Sequence, residues 1–490
     1  MKLSDLAKRI VGSRVLGARD VEVARAVHDS RQVRPGDLFV ALPGTRVDGH
    51  RFVQAALEAG ASAAMVERPV PLPLNPALLV VPDAREALGV AAHALAGDPT
   101  ERLTVVGITG TNGKTTTTYL VRSILEKAGQ GTGLLGTIGY RIGERWIPSR
   151  MTTPDAMDLA SYFAEMAESG LEAAVMEVSS HALDQRRTAG IRFQVGAFTN
   201  LTPEHLDYHK DMPSYRQAKG RLFADLAPEA WAVLNADDEA SRSFAEATRA
   251  RVLWYGLDEP ADVRAEEVVT DLGGSRFALC VPRGRAAVRT PLLGRHNVLN
   301  CLTAAAIAEA LAVPLEAVVA GIGALATVRG RLEPVPSDRP FTVLVDYAHT
   351  ADALENALEA VRALGPRRVI LVFGCGGNRD RQKRPEMAKV AEKLADRMIV
   401  TNDNPRKEDP QAIAEEILNG FSSREAATVE LDRRRAIALA LGEAREGDVV
   451  LIAGKGHETY QETREGTFPF DDREVAGGIL SGGDGGPATA

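Results

Sequence analysis

The sequence predicts an α/β protein of three domains, and three observations carry that expectation. Apolar β-branched runs alternate with helical stretches from about residue 100 onward. The alternation restarts after residue 330. A chain of 490 residues is also too long for one hydrophobic core and suggests two to four domains. Composition fits an ordinary globular protein, at 45% hydrophobic and 25% charged. A formal charge of −8 argues against a broad nucleic-acid-binding surface. The opening MKLSDLAKRIVGSR lacks the apolar core of a signal peptide, and no apolar run approaches the ~20 residues that span a bilayer. Cys280, Cys301 and Cys375 show neither paired metal-ligand spacing nor a disulfide framework, so reduced structural thiols in a cytoplasmic protein are expected.

In chain order, DLFVAL (37–42) and AAMVE (63–67) read as strands, with FVQAALEAGA as a helix between them. RPVPLPLNP is a loop, and LAGDPTERL reads as a linker into a second domain. LTVVGIT is then a buried strand, followed by a glycine turn and the helix TTTTYLVRSILEKAG, which ends on Gly129. LEAAVMEVSS, VGAFTNLT and AWAVLNADD add parallel strands with polar residues at their C-terminal ends, where ligands bind in open α/β sheets. After GALATVRGRLEPVPSDRP come FTVLVDYAHT, RRVILVFGCGGNRD, RMIVTNDNPR and DVVLIAGKGHE, four strands running into polar turns, as in a Rossmann-like domain. The expected domains are 1–98, 99–330 and 331–480, with a glycine-rich, disordered tail at 481–490.

The stretch GITGTNGKTTTT carries the strongest chemical signal. A standard phosphate loop reads G-x-x-x-x-G-K-[ST], but its first glycine would fall on Ile108, between Gly107 and Gly110. The strand–loop–helix setting still supplies what a phosphate needs, namely backbone N–H groups and a helix N-terminus. Lys114 would lie against the β/γ-phosphates and the Thr115 hydroxyl would bind Mg²⁺. Glu177 ends a strand near that loop and either binds Mg²⁺ or makes a structural ion pair. His205 and His209, four apart, share a face if the segment is helical, but no third zinc ligand has standard spacing. Capping or core histidines are the plainer reading. By its local pattern Lys219 is a solvated helix lysine.

The loop TGTNGKTT resembles that of the Mur ligase family, which has its own glycine spacing. MEVSSHALDQRR, TNLTPEHLDYH, GRHNVLN, DYAHTADAL, GCGGNRDRQKRPEM, DNPR and GKGHETYQ extend the resemblance in order across the chain, to the branch that adds the third residue of the peptidoglycan stem peptide. It implies ATP contacts at Gly110, Thr111, Asn112, Gly113, Lys114, Thr115, Thr116, Asn297 and Asp346. Arg331 belongs with them or is a solvated linker arginine. The metal set becomes Thr115, Glu177, His205 and Lys219, the last carbamylated, with His209 structural; Lys114, Lys219, Glu177 and His205 form the catalytic group. Ser30, Thr45, Arg46 and Val47, otherwise surface-loop residues, resemble contacts to a uridine nucleotide. Thr152, Thr153, Ser179, Gln185 and Arg187 match contacts to its muramoyl-dipeptide.

Arg379, Asp403, Asn404, Pro405, Arg406, Gly454 and Glu458 match the amino-acid site. Asp-Asn-Pro is by itself a good turn. Arg406 adds a planar fork suited to the extra carboxylate of meso-diaminopimelate, which lysine and ornithine lack. The implied enzyme is a monomeric, cytoplasmic amide ligase that uses ATP and Mg²⁺ to join meso-2,6-diaminopimelate to UDP-N-acetylmuramoyl-L-alanyl-D-glutamate. It needs no nucleic acid and no membrane insertion. A lysine- or ornithine-adding ligase is the alternative. A folylpolyglutamate synthase fits the DSR segment (29–31) and DNPR less well. Lys114, Glu177, His205 and Lys219 argue against a nucleotide-dependent regulatory protein that has lost catalysis.

Overall fold

A computed structural model describes residues 1–44, 47–72, 76–271 and 273–482. Thr45, Arg46 and residues 483–490 of the expected tail therefore lie outside the described residues. The secondary structure resolves into three main sheets and a small hairpin. The first has five strands, ordered Arg14–Leu16, Leu78–Val80, Ala63–Val66, Asp37–Val40 and Arg25–Val27, parallel except for the first pair. DLFVAL and AAMVE are strands as read, while the intervening helix is shorter, Val53–Glu58 after a 3-10 turn at Gly49–Phe52.

The second sheet has eleven strands. Its parallel centre includes Thr104–Thr109, flanked by Ala173–Glu177 and Val195–Phe198. These strands are buried on both faces, which explains their continuous β-branched and alanine-rich runs. The outer strands are antiparallel hairpins, Gly139–Ile142 with Arg145–Pro148 at one edge and Gly274–Val281 with Gly284–Thr290 at the other. The helix Arg295–Ala310 is buried around most of its circumference, packed beside Lys114–Lys127 in the core on one face of the sheet.

The third sheet has six strands, with Thr342–Asp346, Val449–Ala453, Val369–Phe373, Arg397–Val400 and Ala427–Val429 in parallel succession. Apolar clusters cover both faces. The two-stranded hairpin Tyr460–Thr463 and Gly466–Pro469 follows it.

Two different joints connect these units. The helix Ala84–Leu95 lies so close to the segment 188–191 that a Cβ on Gly89 would sit 2.4 Å from the Ala189 carbonyl oxygen. Only glycine fits there. The third unit meets the second through both kinds of contact, with Asn112 and Thr202 both donating to Asp352 Oδ2 and Leu293 packing on the third unit's apolar core. No helix among the described residues is long and apolar enough to cross a membrane.

Candidate active site

The glycine loop joins the strand Thr104–Thr109 to the helix Lys114–Lys127, which begins one residue earlier than read and ends two residues before Gly129. Gly113 takes φ +84°, and a Cβ there would lie 2.3 Å from Asn300 Oδ1. The conformation and the crowding both demand glycine. Asn300 in turn donates to Asn297 Oδ1 at 2.9 Å, so the buried Asn297 acts from behind the loop. Lys114 Nζ folds back onto the carbonyl oxygens of Gly110 and Thr111, at 2.9 and 2.6 Å. Burial lowers its pKa, against the pull of Glu204 and Glu177.

Lys219 is the largest departure from its local reading. It is 1% exposed, and its Nζ donates to Gly110 O at 2.6 Å and lies 4.5 Å from the Tyr215 ring centre. Burial, reinforced by the Lys114 charge, pushes its ammonium well below the ordinary lysine value. A neutral amine is the form that captures CO₂.

Glu177 is also buried, at the sheet end beside Ile108, and both its oxygens accept from Thr137, at 2.8 Å from N and 2.9 Å from Oγ1. The two histidines do not share a helical face. His205 lies outside the short helix Leu206–His209, with φ +56°, while His209 is buried and pairs with Ser180 Oγ at 2.9 Å. His181 stands between the two rings, its centre 4.7 Å from that of His205 and 5.5 Å from that of His209. Burial lowers the His205 pKa and brings His181 down to about 4.

Arg331 crosses to the loop and donates to Thr115 Oγ1 at 3.1 Å, with its guanidinium 5.0 Å from the Tyr347 ring centre. It is not a solvated linker arginine. Asp346 accepts from the amides of Leu332 and Ala348, at 2.6 and 2.7 Å, and burial raises its pKa. These groups, with Asn112, Gly113, Thr115, Thr116, Asn297 and Asp352, line a cavity of about 270 Å³ between the second and third sheets.

Two residues that the sequence reading passed over complete this region. Glu204 lies 3.6 Å from His349 Nε2 and 3.8 Å from His205 Nε2. Burial opposes its charge, but the adjacent His349 and the His205 and Lys114 charges win, holding the carboxyl well below the usual range. Glu204 was legible only as the neighbour of His205. Its partner His349 sits 145 positions away in sequence, as the two residue numbers give.

Around Glu177 the expected dipeptide residues gather. Thr153 Oγ1 donates to Glu177 O at 2.9 Å and accepts from Ser179 N at 3.0 Å. Arg187 donates to Gln185 Oε1 at 2.6 Å and to Thr153 O at 3.1 Å, and Thr152 Oγ1 accepts from Thr137. Ser30 heads a 3-10 turn capped by Asp29, and Val47 is exposed. No contact among the described residues draws either of them into this cluster.

The third unit holds the remaining set. Asn404 Nδ2 donates to Glu458 Oε2 at 2.8 Å, and the fully buried Lys455 reaches Asn404 Oδ1 and Glu458 Oε2 at 3.0 and 3.2 Å. Asp403 and Pro405 are buried, and Arg379 is exposed. Gly454 N donates to Asp346 O at 3.0 Å, which joins this set to the cavity wall.

A phosphate loop facing a second parallel-sheet unit across a polar cleft defines a nucleotide-dependent enzyme whose substrates meet between domains. The chain belongs to the Mur ligase family. Residues 23–95 match the Mur ligase family catalytic domain, 108–308 the Mur ligase middle domain, and 330–456 the Mur ligase glutamate ligase domain. A UDP-N-acetylmuramoyl-L-alanyl-D-glutamate–2,6-diaminopimelate ligase of Geobacillus thermodenitrificans is 46% identical over 483 residues, covering 97% of this chain and 98% of that one. The Geobacter metallireducens protein of the same name is 47% identical over 97% of both chains. A solved structure with that name, 32% identical, superposes with a TM-score of 0.73 over 98% of this chain and 99% of its own.

Proposed function

We propose that the chain is an ATP-dependent amide ligase that adds meso-2,6-diaminopimelate to UDP-N-acetylmuramoyl-L-alanyl-D-glutamate in peptidoglycan precursor synthesis. The similarity over nearly the full length to ligases of that name supports the reading. The single structural observation that carries it is Arg406 on the Asp403–Arg406 turn, its guanidinium Nη2 without a partner among the described residues. A free guanidinium edge suits a second carboxylate and is wasted on lysine or ornithine. We take the domains as 1–98, 99–330 and 331–480, and the enzyme as a cytoplasmic monomer.

The Mur ligase family implies the chemistry, and the residues described support it. The terminal D-glutamate side-chain carboxylate attacks the γ-phosphorus of ATP, giving an acyl phosphate and ADP. The amine of diaminopimelate then attacks the acyl carbon, and phosphate leaves with the C–O bonding pair. Lys114 and the loop amides balance charge on the transferring phosphoryl group. Arg331 brings a further positive charge from the third unit. Thr153, Ser179 and Arg187, which are hydrogen-bonded together beside Glu177, would hold the dipeptide. Thr115, Glu177 and His205, with a carbamylated Lys219, are the donors the family resemblance implies for Mg²⁺, which when bound would neutralise phosphate charge. No cluster of three His, Cys, Asp or Glu able to hold a metal stands among the described residues. The buried amine of Lys219, which has a carbonyl partner but no carboxylate within ion-pair distance among the described residues, supports the carbamate reading.

The test is direct. The purified protein, ATP, Mg²⁺ and UDP-muramoyl-dipeptide are incubated separately with meso-diaminopimelate, lysine or ornithine, and the product mass is read. Product with diaminopimelate supports the reading. Product mainly with lysine or ornithine keeps the ligase and overturns the amino-acid assignment.

A further inference from the structure

One acidic residue beside the amino-acid site has no assigned part, although it touches the Asp403–Arg406 turn three times. The Glu462 amide donates to Asn404 Oδ1 at 2.9 Å. Its carbonyl accepts from Arg406 N at 3.0 Å. Its carboxylate Oε2 accepts from Arg406 Nε at 3.0 Å. The fourth restraint comes from the opposite side, where Arg406 Nη1 donates to Gly377 O at 2.9 Å.

These contacts have a common effect. Arg406 sits at φ +53°, a conformation that a long side chain adopts at a cost unless its surroundings hold it. Glu462 holds both its backbone N–H and its side chain. With Nε and Nη1 engaged, the guanidinium cannot rotate, and the Nη2 edge stays presented. The Glu462 side chain is 43% exposed and that of Arg406 is 20% exposed, so the pair forms a rim rather than a core ion pair. Burial raises the pKa of the Tyr460 ring hydroxyl, and the charges of Glu458, Arg406, Glu462 and Asp403 act on it. Lys455 lies 5.5 Å from the centre of that ring.

We infer that Glu462 is a positioning residue for amino-acid selection, fixing the Arg406 fork so that its free edge meets the second carboxylate of the incoming diamino acid. The hairpin Tyr460–Thr463 and Gly466–Pro469 is the support that carries it. This inference rests on the proposed diaminopimelate-adding activity. A fixed fork loses less conformational freedom on binding than a mobile one, so its benefit falls on amino-acid affinity.

The experiment compares wild type, Glu462→Ala and Glu462→Gln by steady-state kinetics with meso-diaminopimelate, lysine and ATP as varied substrates, alongside thermal melting. Glu462→Ala should raise KM for diaminopimelate about tenfold while kcat stays within about twofold. KM for ATP should not move, and the preference for diaminopimelate over lysine should fall. Glu462→Gln keeps an acceptor for Nε and should recover most of the loss. An unchanged diaminopimelate KM in the alanine variant overturns the inference, as does a rise that ATP shares equally. Absence of diaminopimelate product from the wild type overturns the proposed function itself, and the inference with it.

Discussion

Arg331 and Thr115 meet across the cleft, guanidinium Nη2 to Oγ1 at 3.1 Å, although they lie 216 residues apart. The arginine thus rests on the hydroxyl expected to bind Mg²⁺ beside the nucleotide phosphates. Removing it should cost activity without unfolding the protein. Arg331→Ala is expected to lower kcat about 10³-fold, with Arg331→Lys recovering only part because a point charge replaces a fork. ADP release under saturating substrates measures this, and a loss below about fivefold would remove Arg331 from the chemistry.

Lys219 leads to a second prediction. A buried ammonium with a carbonyl but no carboxylate within ion-pair distance among the described residues is better accommodated neutral. Incubation with carbon-13-labelled bicarbonate should give a carbamate signal that Lys219→Ala lacks. The same variant should lose at least about 100-fold in turnover, partly restored by added acetate. Full activity in the alanine variant would show that no carboxylate is needed at that position.

Selection at Arg406 has a clear numerical expectation. Charge-assisted hydrogen bonds are worth about 1.5–3 kcal/mol, so Arg406→Ala should reduce kcat/KM for meso-diaminopimelate by about 10–100-fold. Lysine, which lacks the second carboxylate, should be scarcely affected. Equal losses for both amino acids would indicate damage to the turn rather than lost recognition.

His93 sets a pH dependence away from the chemistry. It lies on the helix Ala84–Leu95, 1% exposed, with neither ring nitrogen hydrogen-bonded among the described residues. Burial lowers its pKa from 6.5 to about 4. The unfolded chain takes up a proton that the folded one refuses. Stability is therefore fully present above about pH 6.5 and is lost as pH falls toward about 4, by about 3 kcal/mol in all. His93→Leu should melt with a shallower decline across that window. An identical decline in both proteins would contradict the account.

The sequence revealed the parallel strands and the phosphate loop because both have local signatures, a continuous apolar run and a glycine turn opening a helix. The edge hairpins at 139–148 and 274–290 carry weaker alternation and were not read. Lys219 shows why the site was only partly legible. Its helix pattern says solvated, and its burial comes from Tyr215 and from Gly110, 109 residues distant. Glu204 and His349 fail for the same reason, since neither is unusual until the third unit packs against the second. Glu462 ends the GKGHETYQE stretch, but nothing local tells that its carboxylate reaches Arg406.

The glycine contact at Gly89 and Ala189 has a metrical consequence. With no room for a side chain between them, the first unit is seated at a set separation from the phosphate loop. A nucleotide anchored at one end would then have its far carboxylate delivered at a fixed span, as against a ruler. On the proposed placement of the nucleotide end in the first unit, precursors one residue shorter or longer are expected to show a fall in kcat/KM. Widening that joint, for instance by Gly89→Val, should blur the length standard while leaving the choice of diamino acid intact.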